Sequence, residues 1–203
     1  MKRVLTTVGW IILTAAAAIA GEATGPQLEP GANAPGFSLK GVDGAMHSLD
    51  QLKGAKGTVV VFTCNHCPFA KAYEDRLIAL AKEYGAKGIH FVAINPNDPT
   101  VQPGDDFDKM VERAKDKGFP YPYLVDSTQQ VAKEYGAQVT PHVFVFDASL
   151  VLRYRGRIDD NPKPQEVTSK DLAAALDALL AGKAVPTATT TAFGCSVKWK
   201  KSS

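Results

Sequence analysis

Two hydrophobic periods alternate along this chain, and each switch marks an element. Phe37-Ser38-Leu39 and Met46-His47-Ser48-Leu49 flank Gly41-Val42-Asp43-Gly44, a pattern that predicts a short hairpin. Thr58-Val59-Val60-Val61-Phe62-Thr63 is apolar and β-branched without alternation, as expected for a central strand buried on both faces. Phe69, Tyr73, Leu77, Leu80 and Tyr84 then recur at helical spacing, with Gly85 and Gly88 at the end. Residues 89–94 read as a second central strand, and residues 95–104 as a turn-rich loop. Phe107, Met110, Val111 and Ala114 predict a helix with Asp105 and Asp106 in its first turn, where the dipole favours acids. Ser127 followed by Gln130 reads as a capping box for a short helix carrying Val131 and Tyr135. Residues 143–147 and 150–154 read as antiparallel strands. A last helix starts near Thr168 or Ser169 and buries Leu172, Leu176, Leu179 and Leu180. The order is hairpin, β-α-β-α, short helix, β-β-α. It predicts an α/β fold: a mixed central sheet with helices on both faces and an N-terminal hairpin extension.

The chain ends are read separately. Lys2 and Arg3 precede an apolar run over residues 4–20 that closes on Ala18-Ile19-Ala20, the signature of a cleaved signal peptide over residues 1–20. Residues 21–33 are aperiodic and Gly/Pro/Ala-rich, and read as a linker. Residues 34–185 form the expected domain and residues 186–203 a tail, whose basic stretch Lys198-Trp199-Lys200-Lys201 is expected to be a solvated end. Export places the protein in the periplasm or outside the cell, where disulfides persist. Membrane attachment is expected only if the N-terminal segment is retained. A net charge of +2 points to no nucleic-acid partner.

Chemistry concentrates in Cys64-Asn65-His66-Cys67-Pro68, at the junction of a strand and a helix. A Cys-x-x-Cys pair in that context reads as a redox-active dithiol. The thiolate is the reactive form, and a helix N-terminus favours it. His66, between the sulfurs, is the ionisable residue inside the motif and a candidate for tuning them. Cys195 is the odd third cysteine. It is either a buried, incidental thiol or a third redox thiol within reach of the active-site face. His142 follows Pro141 and reads as a polar loop residue, while His47 and His90 read as structural.

Several pieces together make the chain resemble the thioredoxin superfamily over roughly residues 34–182. They are Ala34-Pro35-Gly36-Phe37-Ser38-Leu39 with Gly44, the Cys-x-x-Cys-Pro after a strand, Asp126, and Gly136-Ala137-Gln138-Val139-Thr140-Pro141 followed by two strands ending at Gly156. The branch it is most similar to is the exported TlpA/ResA-like thiol–disulfide proteins of the redoxin (AhpC/TSA) group. That resemblance implies a thioredoxin-like fold, a Cys64–Cys67 redox disulfide, a cis Thr140-Pro141 bond facing it, and Thr140 backbone groups offered to an extended substrate segment. It implies thiol–disulfide exchange with partner-protein cysteines through a mixed disulfide, an exported or membrane redox partner, and no cofactor or resident metal. The family's acid positions correspond to Thr58 and Ala70, neither of which ionises, so His66 or water is expected to handle protons.

Two alternatives stand beside this reading. A peroxiredoxin-like antioxidant peroxidase requires Pro-x-x-x-Thr-x-x-Cys, but Gly57 and Val61 occupy the Pro and Thr positions before Cys64. A copper-binding metallochaperone would use Cys64, Cys67 and a histidine, since thiolates suit soft metals.

Overall fold

A computed structural model describes residues 26–201; the expected signal peptide lies outside the described residues. Strands β1 (Ser38–Gly41) and β2 (Met46–Ser48) form the predicted hairpin. Helix α1 (Leu49–Leu52) follows, held by a Ser48/Gln51 capping box. The chain continues through β3 (Gly57–Phe62), α2 (Pro68–Gly85), β4 (Ile89–Asn95), α3 (Phe107–Lys117), β5 (Tyr123–Val125) and α4 (Gln130–Tyr135). It then forms β6 (Val139–Thr140), β7 (His142–Asp147), β8 (Leu152–Gly156), α5 (Asp171–Leu180) and β9 (Cys195–Ser196).

Seven strands make one mixed sheet in the order β2-β1-β5-β4-β3-β7-β8. β3 is central, parallel to β4 and antiparallel to β7, and all six of its residues are buried. Its unbroken apolar run follows from that position, because both faces are covered. Val59 and Val61 pack with Tyr73, Leu77 and Tyr84 of α2 and Leu172 and Leu176 of α5 on one face. Val60 and Phe62 pack with Val131 and Tyr135 of α4, Phe144 and Phe146 on the other. Each such side chain contributes about 1.5–3 kcal/mol relative to exposure. No helix among the described residues is long and apolar enough to cross a membrane.

Four local expectations change. Ser127 does not cap α4. The preceding Gln129 adopts a left-handed φ of 62°, and the Asp126 carboxylate accepts from Ala132 N at 2.8 Å instead. β8 begins at Leu152, because Leu150 turns the chain at φ 61°. Residues 28–33, read as linker, run beside the domain into Ala34: Gly31 N donates to Leu152 O and Ala34 N to Leu150 O, both at 2.8 Å. The basic end is solvated only at Lys200 and Lys201: Lys198 and Trp199 are half-buried, and β9 just before them pairs with β6 in a second, two-stranded sheet. Val197 beyond it is buried, and Trp199 packs against the core on the α4 side.

Candidate active site

Cys64 lies two residues beyond the end of β3, and Cys67 is the N-cap of α2 with Pro68 at its start. Proline is well suited there, since the first N–H of a helix has no intrahelical acceptor. Both sulfur residues are buried, Cys64 at 2% and Cys67 at 0% exposure. The Thr140-Pro141 bond is cis, as the resemblance implied. Thr140 meets both cysteines: its Oγ1 is 3.1 Å from Cys64 Sγ and its carbonyl oxygen 3.3 Å from Cys67 Sγ. Cys64, Cys67, His66, Thr140 and Pro141 are therefore one constellation. All three cysteines are thiols rather than disulfides.

Sequence reasoning missed the carboxylate beneath this constellation. Asp105 is not a helical first-turn acid. It ends a single 3₁₀ turn, Pro103–Asp105, and is buried under the Cys-x-x-Cys loop, while Asp106 caps α3 by accepting from Lys109 N at 2.8 Å. Asp105 accepts from Asn65 N at 2.7 Å, His66 N at 3.2 Å, Asn97 Nδ2 at 2.7 Å and His66 Nδ1 at 2.5 Å. Its acceptor role makes His66 Nδ1 the protonated ring nitrogen. Tyr123 Oη donates to Asn65 Oδ1 at 3.0 Å and closes the network. The one sequence signal was the adjacent pair Asp105-Asp106, of which only one can occupy an N-cap.

Thr58 and Ala70 are both buried, and Thr58 Oγ1 serves Gly54 N at 3.1 Å. The carboxylate of this site thus comes from neither anticipated position. Buried Glu74 is committed to Arg113, whose Nε lies 2.8 Å away. His142 is a buried β7 residue rather than a loop residue, its ring 4.5 Å from that of Phe144. Burial, with a smaller effect of Arg155, pulls its pKa down to about 4. His47 bonds Asp43 and His90 faces Leu52 O, both remote from the dithiol.

Cys195 joins the site. In the β6–β9 ladder it stands opposite Thr140, and it packs against Cys64, Cys67 and Ala70. The Thr140 edge that the resemblance reserves for a substrate is therefore filled by the chain's own tail. Electrostatics treat the three sulfurs unequally and favour the anion most at Cys67. Its pKa is pulled down to about 4, first by the Cys64 thiol donating to it, then by Cys195 and the backbone N–H of Ala70. Burial and the Thr140 carbonyl, which accepts from Cys67, oppose that pull. Cys64 is pushed up by donating to Cys67, by burial and by the charge of Asp105. Cys195 is pushed up to about 11, mainly by burial and then by its bond to Cys67.

Cys64, His66 and Asp105 also present donor atoms within 4.8 Å of one another, a spacing that could hold a metal ion.

Residues 30–155, more than half of the chain, match the model of the AhpC/TSA family. The chain belongs to the AhpC/TSA family. An uncharacterized conserved protein of Geobacillus kaustophilus, solved by crystallography, is 45% identical, covering 86% of this chain and 94% of that one with a TM-score of 0.81. The thiol:disulfide interchange protein DsbE of Escherichia coli is 29% identical over 141 residues, 68% of this chain and 70% of DsbE. The thiol-disulfide oxidoreductase ResA of Geobacillus thermodenitrificans is 28% identical over 120 residues, 58% of this chain. That match spans 63% of ResA, less than two thirds of its length. Solved thioredoxin-like neighbours of lower identity share the architecture, and the fold of this family member is thioredoxin-like.

Proposed function

We propose that this protein is an exported thiol–disulfide oxidoreductase that exchanges its Cys64–Cys67 dithiol with cysteines of partner proteins through a mixed disulfide. The observation that carries this reading is the pairing of Cys64 and Cys67 at the start of α2 with Thr140-Pro141 against both sulfurs. The relatives named for thiol–disulfide exchange support it, and the apolar N-terminal run supports export.

The proton arrangement suggests how the reductive direction runs. Cys64 Sγ attacks a partner disulfide while its proton passes to Cys67, giving a Cys64–partner disulfide and a departing partner thiolate. That thiolate takes the proton from Cys67, which is restored as thiolate. Cys67 then attacks Cys64 Sγ, forming the Cys64–Cys67 bond and releasing the second partner sulfur. Run backwards, the same steps oxidise a partner. The ring of His66, oriented by Asp105, is a nearby cation or proton donor for the attacking and leaving sulfurs. Asp105 acts as a positioning residue.

In an insulin-reduction assay Cys64→Ser loses turnover and Cys67→Ser accumulates mixed disulfides; full activity in Cys64→Ser would overturn the reading. The reduction potential of the pair sets its direction, near about −270 mV for a reductant of the thioredoxin type or about −120 mV for an oxidant.

The Cys64–His66–Asp105 cluster carries a second reading, soft-metal binding. Against it, the Asp105 oxygens already serve four donors. Titration of the reduced protein with copper(I) against a competing chelator separates the two. Stoichiometric binding lost in both Cys64→Ser and His66→Ala would favour the metal site.

A further inference from the structure

The tail is built into the site, not laid over it. β9 is hydrogen-bonded along β6 in the register Val139↔Ser196 and Thr140↔Cys195, and Val197 N continues the ladder to Gln138 O at 3.0 Å. Before it, Phe193 sits edge-on to Phe69 and Tyr73 of α2, with ring centroids 6.1 Å apart in each pair. After it, Lys198 N donates to Asn97 Oδ1, and Lys198 O accepts from Asp98 N and Gln129 Nε2. Lys200 N donates to Gln129 Oε1 at 2.8 Å. Gly194 lies flat on Thr140: a Cβ there would run into the Thr140 carbonyl, so only glycine allows this approach. The effect is to fix a third thiol against the two sulfurs of the Cys-x-x-Cys motif, with Cys67 in contact with both neighbours.

We propose that Cys195 is a resolving thiol of this site, exchanging with the Cys64–Cys67 disulfide to form a Cys67–Cys195 disulfide, so that β9 serves as a built-in exchange partner; this rests on the thiol–disulfide reading above. The Cys195 sulfur, as thiolate, attacks Cys67 Sγ. The Cys67–Cys195 bond forms, the Cys64–Cys67 bond breaks, and Cys64 leaves as a thiolate that takes up the proton Cys195 lost. One disulfide is present before and after, so no further oxidant enters. The exchange frees Cys64 while the tail is covalently fastened to Thr140's edge. In the oxidised protein Cys67 is no longer a thiolate acceptor, which removes one of the influences that keep Cys195 protonated. Lys198 nearby favours the Cys195 anion.

Trypsin cleavage after lysine leaves Cys64 and Cys67 on one peptide, residues 57–71, and Cys195 on another, residues 184–198. The full chain, oxidised with oxidised glutathione, is acid-quenched, alkylated and mapped by mass spectrometry. The expected result is a cross-link between the two peptides, assigned to Cys67 by fragmentation between Asn65 and Cys67, alongside the internal Cys64–Cys67 loop. Gly194→Ala, which lifts β9 from Thr140 and leaves every cysteine in place, lowers the share of cross-link severalfold. Finding only the Cys64–Cys67 loop with Cys195 fully alkylated overturns the proposal, as does a cross-link to Cys64. Insulin reduction by Cys195→Ser tells the two readings apart. Retained turnover with no cross-link in the wild-type protein sinks the role of Cys195 alone. Loss of both the loop and all turnover in the wild-type protein sinks the oxidoreductase reading with it.

Discussion

Asp105 shows what one buried carboxylate does for a loop. Two backbone N–H groups, an amide and an imidazole converge on it. Asp105→Asn places an amide N–H₂ among those donors and leaves at least one unpaired, at a cost of about 1–3 kcal/mol. It also removes a negative charge beside Cys64. Thiolate absorbance followed against pH is expected to show the Cys64 titration moving downward in this variant, with a lowered unfolding midpoint; an unchanged titration would show that Asp105 does not act on the sulfur. His142 makes a second prediction at this scale. It is buried, its Nδ1 lacks a partner, and its folded pKa near 4 lies below the ordinary value of 6.5. The unfolded chain therefore binds a proton that the folded chain refuses. The stability tied to neutral His142 is complete above pH 6.5 and is lost as pH falls toward 4, by up to about 3 kcal/mol. His142→Phe keeps a ring beside Phe144 and should flatten the denaturation midpoint across that window. The same acid sensitivity in the variant would exclude His142 as its source.

Elements differ in how far their causes reach along the chain, and that governs what the sequence discloses. β3 and α2 are legible because burial on both faces and on one helical stripe writes itself into consecutive residues. The dithiol is legible because its spacing and its strand–helix junction are local. Asp105 is not, because its donors on the dithiol loop, Asn65 and His66, sit about forty residues upstream, and the adjacent Asp105-Asp106 pair says only that one acid is free of the cap. The α4 cap was misassigned by a single residue. Ser127 fits the spacing rule, yet the left-handed Gln129 turns the chain so that Asp126 reaches Ala132 N. Asp126→Ala is expected to cost about 1–2 kcal/mol, while Ser127→Ala is nearly silent in chemical denaturation. Equal losses would restore the capping box. Gln129 has a further task, as its amide clamps Lys198 O and accepts from Lys200 N. Gln129→Ala should speed proteolysis of the tail with little change in global stability; an unaltered cleavage rate would show that the clamp is dispensable.

At the scale of the whole molecule, both ends of the described chain close on the central sheet. Residues 28–34 lie along β8, and residues 193–199 cover the dithiol and part of the core. These dockings were invisible in composition, since a Gly/Pro/Ala stretch and a Thr-rich, basic tail carry no period. Truncation after residue 185 is expected to lower stability by at least the burial of Val197, about 1.5–3 kcal/mol. It should also raise the alkylation rate of Cys64 and Cys67. Unchanged alkylation would mean that the sulfurs are shielded by β7 and α2 alone.

Asn97 gives its Nδ2 to Asp105 and takes Lys198 N on its Oδ1, so the loop that orients His66 and the strand that carries Cys195 share a side chain. The two ends of this bridge, Asn97 and Lys198, lie 101 residues apart in the chain. Distant pairings of this kind carry a loop-closure cost, so a folding chain holds its dithiol uncovered, within reach of stray thiols and oxidants, until β9 docks on β6. The sulfurs are sealed by the closing of that long loop, and a chain whose Asn97 bridge is broken would be folded in every strand of its main sheet yet open at its most reactive point.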